Sequence, residues 1–190
     1  MLSEQRVASA SRRGSATRAA ILGGAEAQFA ETGLAGSRLI DITERAGVTT
    51  GALYRYFEGK DGLLDDLFAS YDRELLAVLD ASRSVETAVA GWLDLARARP
   101  GATRAVEEMT LAGSRVAAIV ELARNRWVGA LASIINGDGT ARERRCHAEI
   151  ICGMIEQYLI VERMGWTAFR SSAHVASTIA HVVENGTRAR

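Results

Sequence analysis

The sequence predicts an all-α protein: an N-terminal three-helix domain followed by a larger helical bundle, about nine helices in all. Three observations carry this. Apolar residues recur at spacings of 3, 4 and 7 along most of the 190-residue chain, the period of one helix face. No stretch keeps a period of two for long, so no sheet is expected. A single proline and 6% aromatic residues argue against a turn-rich β design, while alanine, leucine, arginine and glutamate, all helix formers, dominate.

Taken in order, residues 1–14 are rich in Ser, Ala and Arg without an apolar period and are expected to be a mobile arm. A helix then starts at Ser15 or Thr17, either of which can cap it. Ile21, Leu22, Ala25, Phe29 and Ala30 follow at helical spacing. Gly23 and Gly24 inside it cost about 1 kcal/mol each relative to alanine. Gly33 closes the helix as a left-handed cap. Ser37 is the candidate N-cap of a short helix over 38–46, with Leu39, Ile42 and Ala46 on one face. Gly47 caps its end, Val48 is an apolar staple, and Thr49 or Thr50 caps a second short helix running to Tyr56. Two short helices joined by a tight, glycine-containing turn form a helix-turn-helix, so residues 15–60 read as one domain.

From Lys60 the pattern lengthens into a connecting helix of residues 60–80, with Leu63, Leu64, Leu67, Phe68, Tyr71, Leu75 and Leu79 on its apolar side. Residues 81–190 form the second domain, with helices expected at 85–98, 103–112, 114–136, 141–165 and 169–187. The breaks fall at Pro100-Gly101, at Gly113, between Asn136 and Thr140, and at Gly165.

Charge narrows the function little. The chain carries 23 basic and 23 acidic residues, and residues 1–60 hold 8 basic against 6 acidic, a weak excess. Cys146 and Cys152, six residues apart on one helix, are rotated by roughly 240° and cannot bridge each other. That fits a reducing cytoplasm. No apolar run reaches the roughly 18 residues a membrane span needs, and the N-terminus lacks the apolar segment of a signal peptide. No Ser-His-Asp set, phosphate loop or dinucleotide glycine pattern occurs, so neither an enzyme nor a cofactor is expected. Cys146, His147 and Cys152 match no zinc spacing, and no metal site is expected. His174 and His181, seven apart on one helical face, line a seam or the surface.

The helix-turn-helix has chemistry of its own. A recognition helix enters the major groove with its N-terminal residues nearest the bases. Here these are Thr49, Thr50, Gly51 and Ala52. They are small enough for close approach, and threonine can bond a base or touch a thymine methyl. Leu53 and Phe57, four apart, would face inward. Tyr54, Arg55 and Tyr56 carry groups that reach phosphate and set register without reading sequence. Lys60, the only lysine among the 23 basic residues, opens the next helix, where ammonium and backbone amides together suit a phosphate. The competing reading is a short, threonine-bounded helix with a purely structural role.

Residues from Ala16 to Phe68 resemble the DNA-binding domain of the tetracycline-repressor (TetR) family of bacterial transcription regulators. The likeness rests on "AAILGGAEAQFAETG" and "IDITERAGVTTGALYRYFEGKDGLL": a Gly-Val turn, a small residue, Leu, Tyr, an aromatic, Phe and Lys. The resemblance implies that Ser37 caps the first motif helix and touches phosphate, that Thr49, Thr50 and Gly51 lie at base edges, and that Tyr54, Tyr56 and Lys60 bind phosphate. Three positions depart from the family pattern: Arg38 stands where Thr is common, Ile40 where Arg is common, and Thr43 where Ala is usual. Arg38 is therefore a candidate replacement for a contact of that first helix.

The resemblance further implies double-stranded DNA with a pseudo-palindromic operator as partner, and a homodimer formed through the last two helices. It also implies a small-molecule effector in the bundle and a place of action in the cytoplasm, on the nucleoid. The expected activity is a one-component regulator, a repressor released by a small, mostly apolar ligand. The alternative is a helical ligand-binding protein or enzyme without specific DNA binding. Glu156, Gln157 and Tyr158 interrupt the apolar run "EIICGMIEQYLIVERMGW" and suit either polar ligand contacts or a satisfied interface. Trp92, Met109 and Trp127 suit either a pocket lining or plain core.

Overall fold

The computed structural model describes residues 2–111, 115–136, 139–168 and 170–188. Among these residues it contains nine helices and no strand: α1 (Leu2–Gly36), α2 (Leu39–Ala46), α3 (Thr50–Leu53), α4 (Gly59–Ala81), α5 (Val85–Ala98), α6 (Pro100–Leu111), α7 (Arg115–Ile134), α8 (Ala141–Arg163) and α9 (Ser172–Arg188). The chain divides into two compact units, one running to Tyr71 and including Arg99–Glu108, the other made of Asp72–Ala98 and Met109–Arg190. The boundaries after Tyr71 and Glu108 fall inside helices, so α4 and α6 each contribute to both units.

In the first unit Ile21, Ala25 and Phe29 of α1 are fully buried with Ile42 of α2 and Leu53 of α3. Each large side chain of this set contributes roughly 1.5–3 kcal/mol by leaving water. Gly24 explains its own presence. A Cβ there would lie 2.8 Å from the Ile42 carbonyl oxygen and 3.2 Å from the Ala46 nitrogen. The glycine that costs helix propensity is what lets α1 and α2 cross in contact. Arg45 reinforces the crossing, donating to Gln28 Oε1 at 2.6 Å and pairing with Glu31.

The Arg99–Glu108 segment is fixed to α1 by helix-end chemistry. Glu26 Oε1 accepts the backbone N–H groups of Gly101 at 2.9 Å and Ala102 at 3.0 Å, so a carboxylate of α1 caps the start of α6. Pro100 sits at the first helical position, where its missing N–H is no loss. The sequence reading placed a break at Pro100-Gly101 and began the helix at 103. The break is there, between Ala98 and Pro100, but the proline itself opens the next helix. In return Arg104 donates to the carbonyls of Ala30 at 3.1 Å and Glu31 at 3.0 Å, near the end of α1.

Helix α1 also extends back to Leu2, where the sequence reading placed an arm and began the helix at Ser15 or Thr17. Lack of an apolar period does not exclude a helix, and alanine and arginine both favour one.

In the second unit α5 packs mainly on α9, and α7 on α8. Trp92 of α5 and Trp127 of α7 meet edge to face, with centroids 5.5 Å apart and planes at 75°, a favoured aromatic geometry. Asp72 accepts from the Trp127 indole at 2.8 Å and from Arg126 at 2.7 Å. Arg97 bridges α5 to α8 through both Glu162 oxygens, at 3.1 and 2.7 Å, and donates to Ser172 Oγ at 2.6 Å. Thr140 and Glu143 form a reciprocal capping box at the start of α8. The expected break at Gly113 lies outside the described residues, as does Phe169, where the last helix was expected to begin.

Candidate nucleic-acid interface

Gly47 ends α2 in the left-handed region, at φ 65° and ψ 33°, a conformation that favours glycine. Its N–H reaches the Glu44 carbonyl at 3.1 Å, and the Val48 N–H reaches Thr43 at 3.0 Å. The turn is therefore closed by backbone bonds alone. Thr49 then caps α3, accepting the Ala52 N–H at 3.2 Å, and settles the choice between the two threonines. The α-helix proper covers only Thr50–Leu53. A further turn carries the chain on, with the Tyr56 and Phe57 N–H groups both on the Leu53 carbonyl at 2.9 and 3.0 Å.

Leu53 is 0% exposed and Phe57 5%, so the inward pair is as expected. Arg18 lies over the Phe57 ring at 5.1 Å and pairs with Asp66. On the outer side Thr49, Gly51, Tyr54 and Arg55 are exposed, while Thr50 and Tyr56 are half-buried. Tyr54, a large aromatic, stands 60% exposed.

The start of α2 departs from expectation. Its N-cap is Arg38, with no side-chain capping bond. Ser37 is 4% exposed. Its hydroxyl turns back to donate to the Gly33 carbonyl at 2.5 Å and lies 2.9 Å from Thr32 Oγ1. The reason is local. Helix α1 is broken by a kink at Gly33, with φ 73° and ψ 176°, and the freed Gly33 carbonyl takes the hydroxyl that a cap would have used. Arg38 itself is exposed and forked onto Asp41, at 2.9 and 2.6 Å. That hydrogen-bonded pairing holds the Arg38 guanidinium above, and the Asp41 carboxyl below, their ordinary pKa values. Thr43, where a smaller residue is usual, is 1% exposed and satisfies its hydroxyl on the Ile40 carbonyl at 2.9 Å. Ile40 is 47% exposed. Lys60 is half-buried, its ammonium 2.9 Å from the Leu34 carbonyl and 3.1 Å from that of Ser37.

The candidate effector residues of the second unit are more scattered. Trp92, Met109 and Trp127 are at most 3% exposed, and the two indoles fill each other's space. Glu156 pairs with Arg124 at 3.1 Å. Tyr158 donates to Glu162 at 3.3 Å, and burial, followed by that carboxylate, raises its pKa. Of the five, Tyr158 alone lines the open groove of about 660 Å³ between α8 and α9, whose walls include Ile150, Met154, Arg170, Val175 and Ile179. Among the described residues no group of three His, Cys, Asp or Glu side chains is placed to hold a metal. No helix among them is long and apolar enough to cross a membrane.

Residues 21–67 match the family described as bacterial regulatory proteins, tetR family. That segment of the chain carries the TetR-family pattern. Among curated relatives it is 30% identical over 128 residues to the HTH-type transcriptional repressor KstR2 of Rhodococcus jostii, covering 60% of this chain and 62% of that one. It is 45% identical over 60 residues to the regulator TtgR of Pseudomonas putida, covering 30% and 29%. The match thus spans less than two thirds of either relative's length. A transcriptional regulator from Rhodococcus sp. Rha1 shares the fold at TM-score 0.71 and 19% identity, over 89% of this chain and 96% of that one. So does the regulator FadR of Bacillus subtilis, in complex with stearoyl-CoA, at TM-score 0.65 and 16% identity, over 86% and 96%.

The TetR-family segment contains all nine candidate DNA-contact residues from Ser37 to Lys60, and none of the five effector candidates. It ends before α6. The side chains of α6 that hold the end of α1, Arg104 and Glu108, therefore lie outside the TetR-family match, and sequence patterns did not single them out. The one local signal was Pro100-Gly101, read as a break.

Proposed function

We propose that the chain is a dimeric one-component transcriptional regulator that represses by holding a pseudo-palindromic DNA operator and is released by a small, mostly apolar ligand. The observation that carries this reading is the short threonine-capped α3. Its exposed Thr49, Gly51, Tyr54 and Arg55 are backed by the buried Leu53 and Phe57. Thr49, Thr50 and Gly51 meet base edges. Tyr54, Arg55, Tyr56 and Arg38 meet phosphate, with Arg38 exchanging Asp41 for DNA. Ser37 supports the chain from inside, and Lys60 has one donor left for phosphate after its two carbonyls. The repressor name of KstR2, a relative at 30% identity, supports repression over activation.

Two copies joined through α8 and α9 would place two recognition helices against half-sites roughly 34–36 Å apart. The apolar groove between those helices and the exposed Ile150 and Val182, each 52% exposed, support that seam. The place of action is then the cytoplasm, on the nucleoid. An effector shifts the balance only through its differential affinity for the two states. With Trp92 and Trp127 packed on each other, it must part them to occupy the bundle between α5 and α7.

Fluorescence anisotropy tests this. The probe is the DNA upstream of the chain's own gene against scrambled DNA, at several salt concentrations. Saturable binding that prefers the native fragment and weakens steeply with salt is expected. Stearoyl-CoA, bound by the Bacillus subtilis FadR, is the first effector to add. Equal, weak binding to both DNAs would count against the repressor and for a helical protein without specific DNA binding.

A further inference from the structure

Lys60 lies in the first turn of α4, the helix end at which the dipole disfavours a cation. Its ammonium instead addresses the opposite kind of end. It donates to the Leu34 and Ser37 carbonyls at 2.9 and 3.1 Å, in the corner that joins α1 to α2. Carbonyls at the end of a helix have lost their helical partners and need donors. The Ser37 N–H reaches Leu34 at a long 3.4 Å. The other groups of the corner are answered by side chains: Ser37 on the Gly33 carbonyl at 2.5 Å, and Glu108 on the Leu34 and Ala35 N–H groups at 2.7 and 3.3 Å.

Helix α2 begins at Leu39 with no side-chain cap of its own. Its origin is therefore set by this corner. Only Gly47, Val48 and Thr49 separate α2 from α3, so whatever moves the corner moves the recognition helix.

We infer that Lys60 is a positioning residue for the recognition helix. Its ammonium fixes the corner between α1 and α2 by two charge-assisted hydrogen bonds, whether or not it also touches a phosphate. This rests on the proposed DNA binding for its DNA readout, but the carbonyl contacts belong to the free protein.

Lys60→Met removes the donors and keeps most of the stem, Lys60→Arg restores donors, and Lys60→Gln is a second neutral variant should the first fold poorly. Amide hydrogen exchange is measured without DNA, and anisotropy with native and scrambled DNA, at a temperature where circular dichroism shows each protein folded. Lys60→Met is expected to speed exchange at the Ser37 and Ile42 amides about tenfold, the scale of one hydrogen bond to a charged group. It should also lose about tenfold of the preference for native over scrambled DNA, for the same reason. Lys60→Arg should recover much of both. Unchanged exchange, with both DNAs weakened alike and the salt slope lower by about one, describes a phosphate contact alone and overturns the inference. Wild-type protein without DNA preference would refute the regulator, while the exchange arm still decides for or against Lys60.

Discussion

The helix-turn-helix and the helical bundle handle their candidate functional side chains in opposite ways. Around α3 the apolar residues Leu53 and Phe57 are sealed below, and Thr49, Gly51, Tyr54 and Arg55 are left standing outside. In the bundle the two indoles, Trp92 and Trp127, are turned inward onto each other, and Glu156 is neutralised by Arg124. A surface meant for a large, rigid polyanion has to exist before the partner arrives. A space for a small apolar molecule need not, because apolar side chains without a ligand close on themselves rather than face water. The first kind of site is therefore visible in a free chain, and the second is not.

The contrast can be broken by substitution. The largest effect is expected from Trp127→Ala, which removes the indole from the Trp92 contact and orphans a hydrogen bond of Asp72. It should cost about 3–5 kcal/mol in a denaturant titration and leave DNA preference intact in whatever protein remains folded. Next comes Gly24→Ala. Its added methyl would sit 2.8 Å from the Ile42 carbonyl oxygen. The strain should cost about 1–3 kcal/mol, against the usual gain of about 1 kcal/mol for replacing glycine in a helix. Gly23→Ala is the control. Nothing lies within 4 Å of a Cβ there, so thermal melting should show a gain of about 0.5–1 kcal/mol.

A smaller effect sharpens the comparison at α3 itself. Thr49→Ala removes the cap and should lower stability by about 1 kcal/mol, with a selective loss of affinity for the native operator in anisotropy. The smallest perturbation is chemical. Burial pushes the Cys152 thiol up to about 12, whereas Cys146 is exposed. Iodoacetamide at pH 8 should add one label per native chain and two after denaturation, read by mass spectrometry. Two labels on the native chain would mean the α8 face holding Cys152 opens readily.

What could be read from the sequence follows the same division. The Gly47-Val48 turn and the inward pair Leu53 and Phe57 depend on neighbours within a few residues, so their pattern was legible. Gly24 was legible only as a penalty, because its benefit lies in the Ile42 carbonyl of another helix. The break between α5 and α6 was legible at Pro100, but α6 was begun three residues late, because the carboxylate that completes the helix start belongs to Glu26, 75 and 76 residues from the amides it accepts. Ser37 looked like a cap by type and place. It was diverted by the carbonyl that Gly33 frees, and the direction a hydroxyl takes is not written in spacing. The closed Trp92–Trp127 pair escaped for a related reason: a core and an empty ligand site use the same residues.

The membership of Arg99–Glu108 in the first unit bears on how this chain can be taken apart. A reading head that is continuous in sequence can be cut out, or swapped between regulators, by choosing one junction. This head is not continuous. A fragment ending in α4 would lack Arg104, which donates to the last carbonyls of α1, and Glu108, which holds the amides beyond Gly33. Glu26 would be left without the helix start it caps. A graft that carries only the N-terminal segment would thus transfer the candidate DNA-contact residues without the brace beneath them. Recombination between relatives would preserve function most readily where the brace travels with the head.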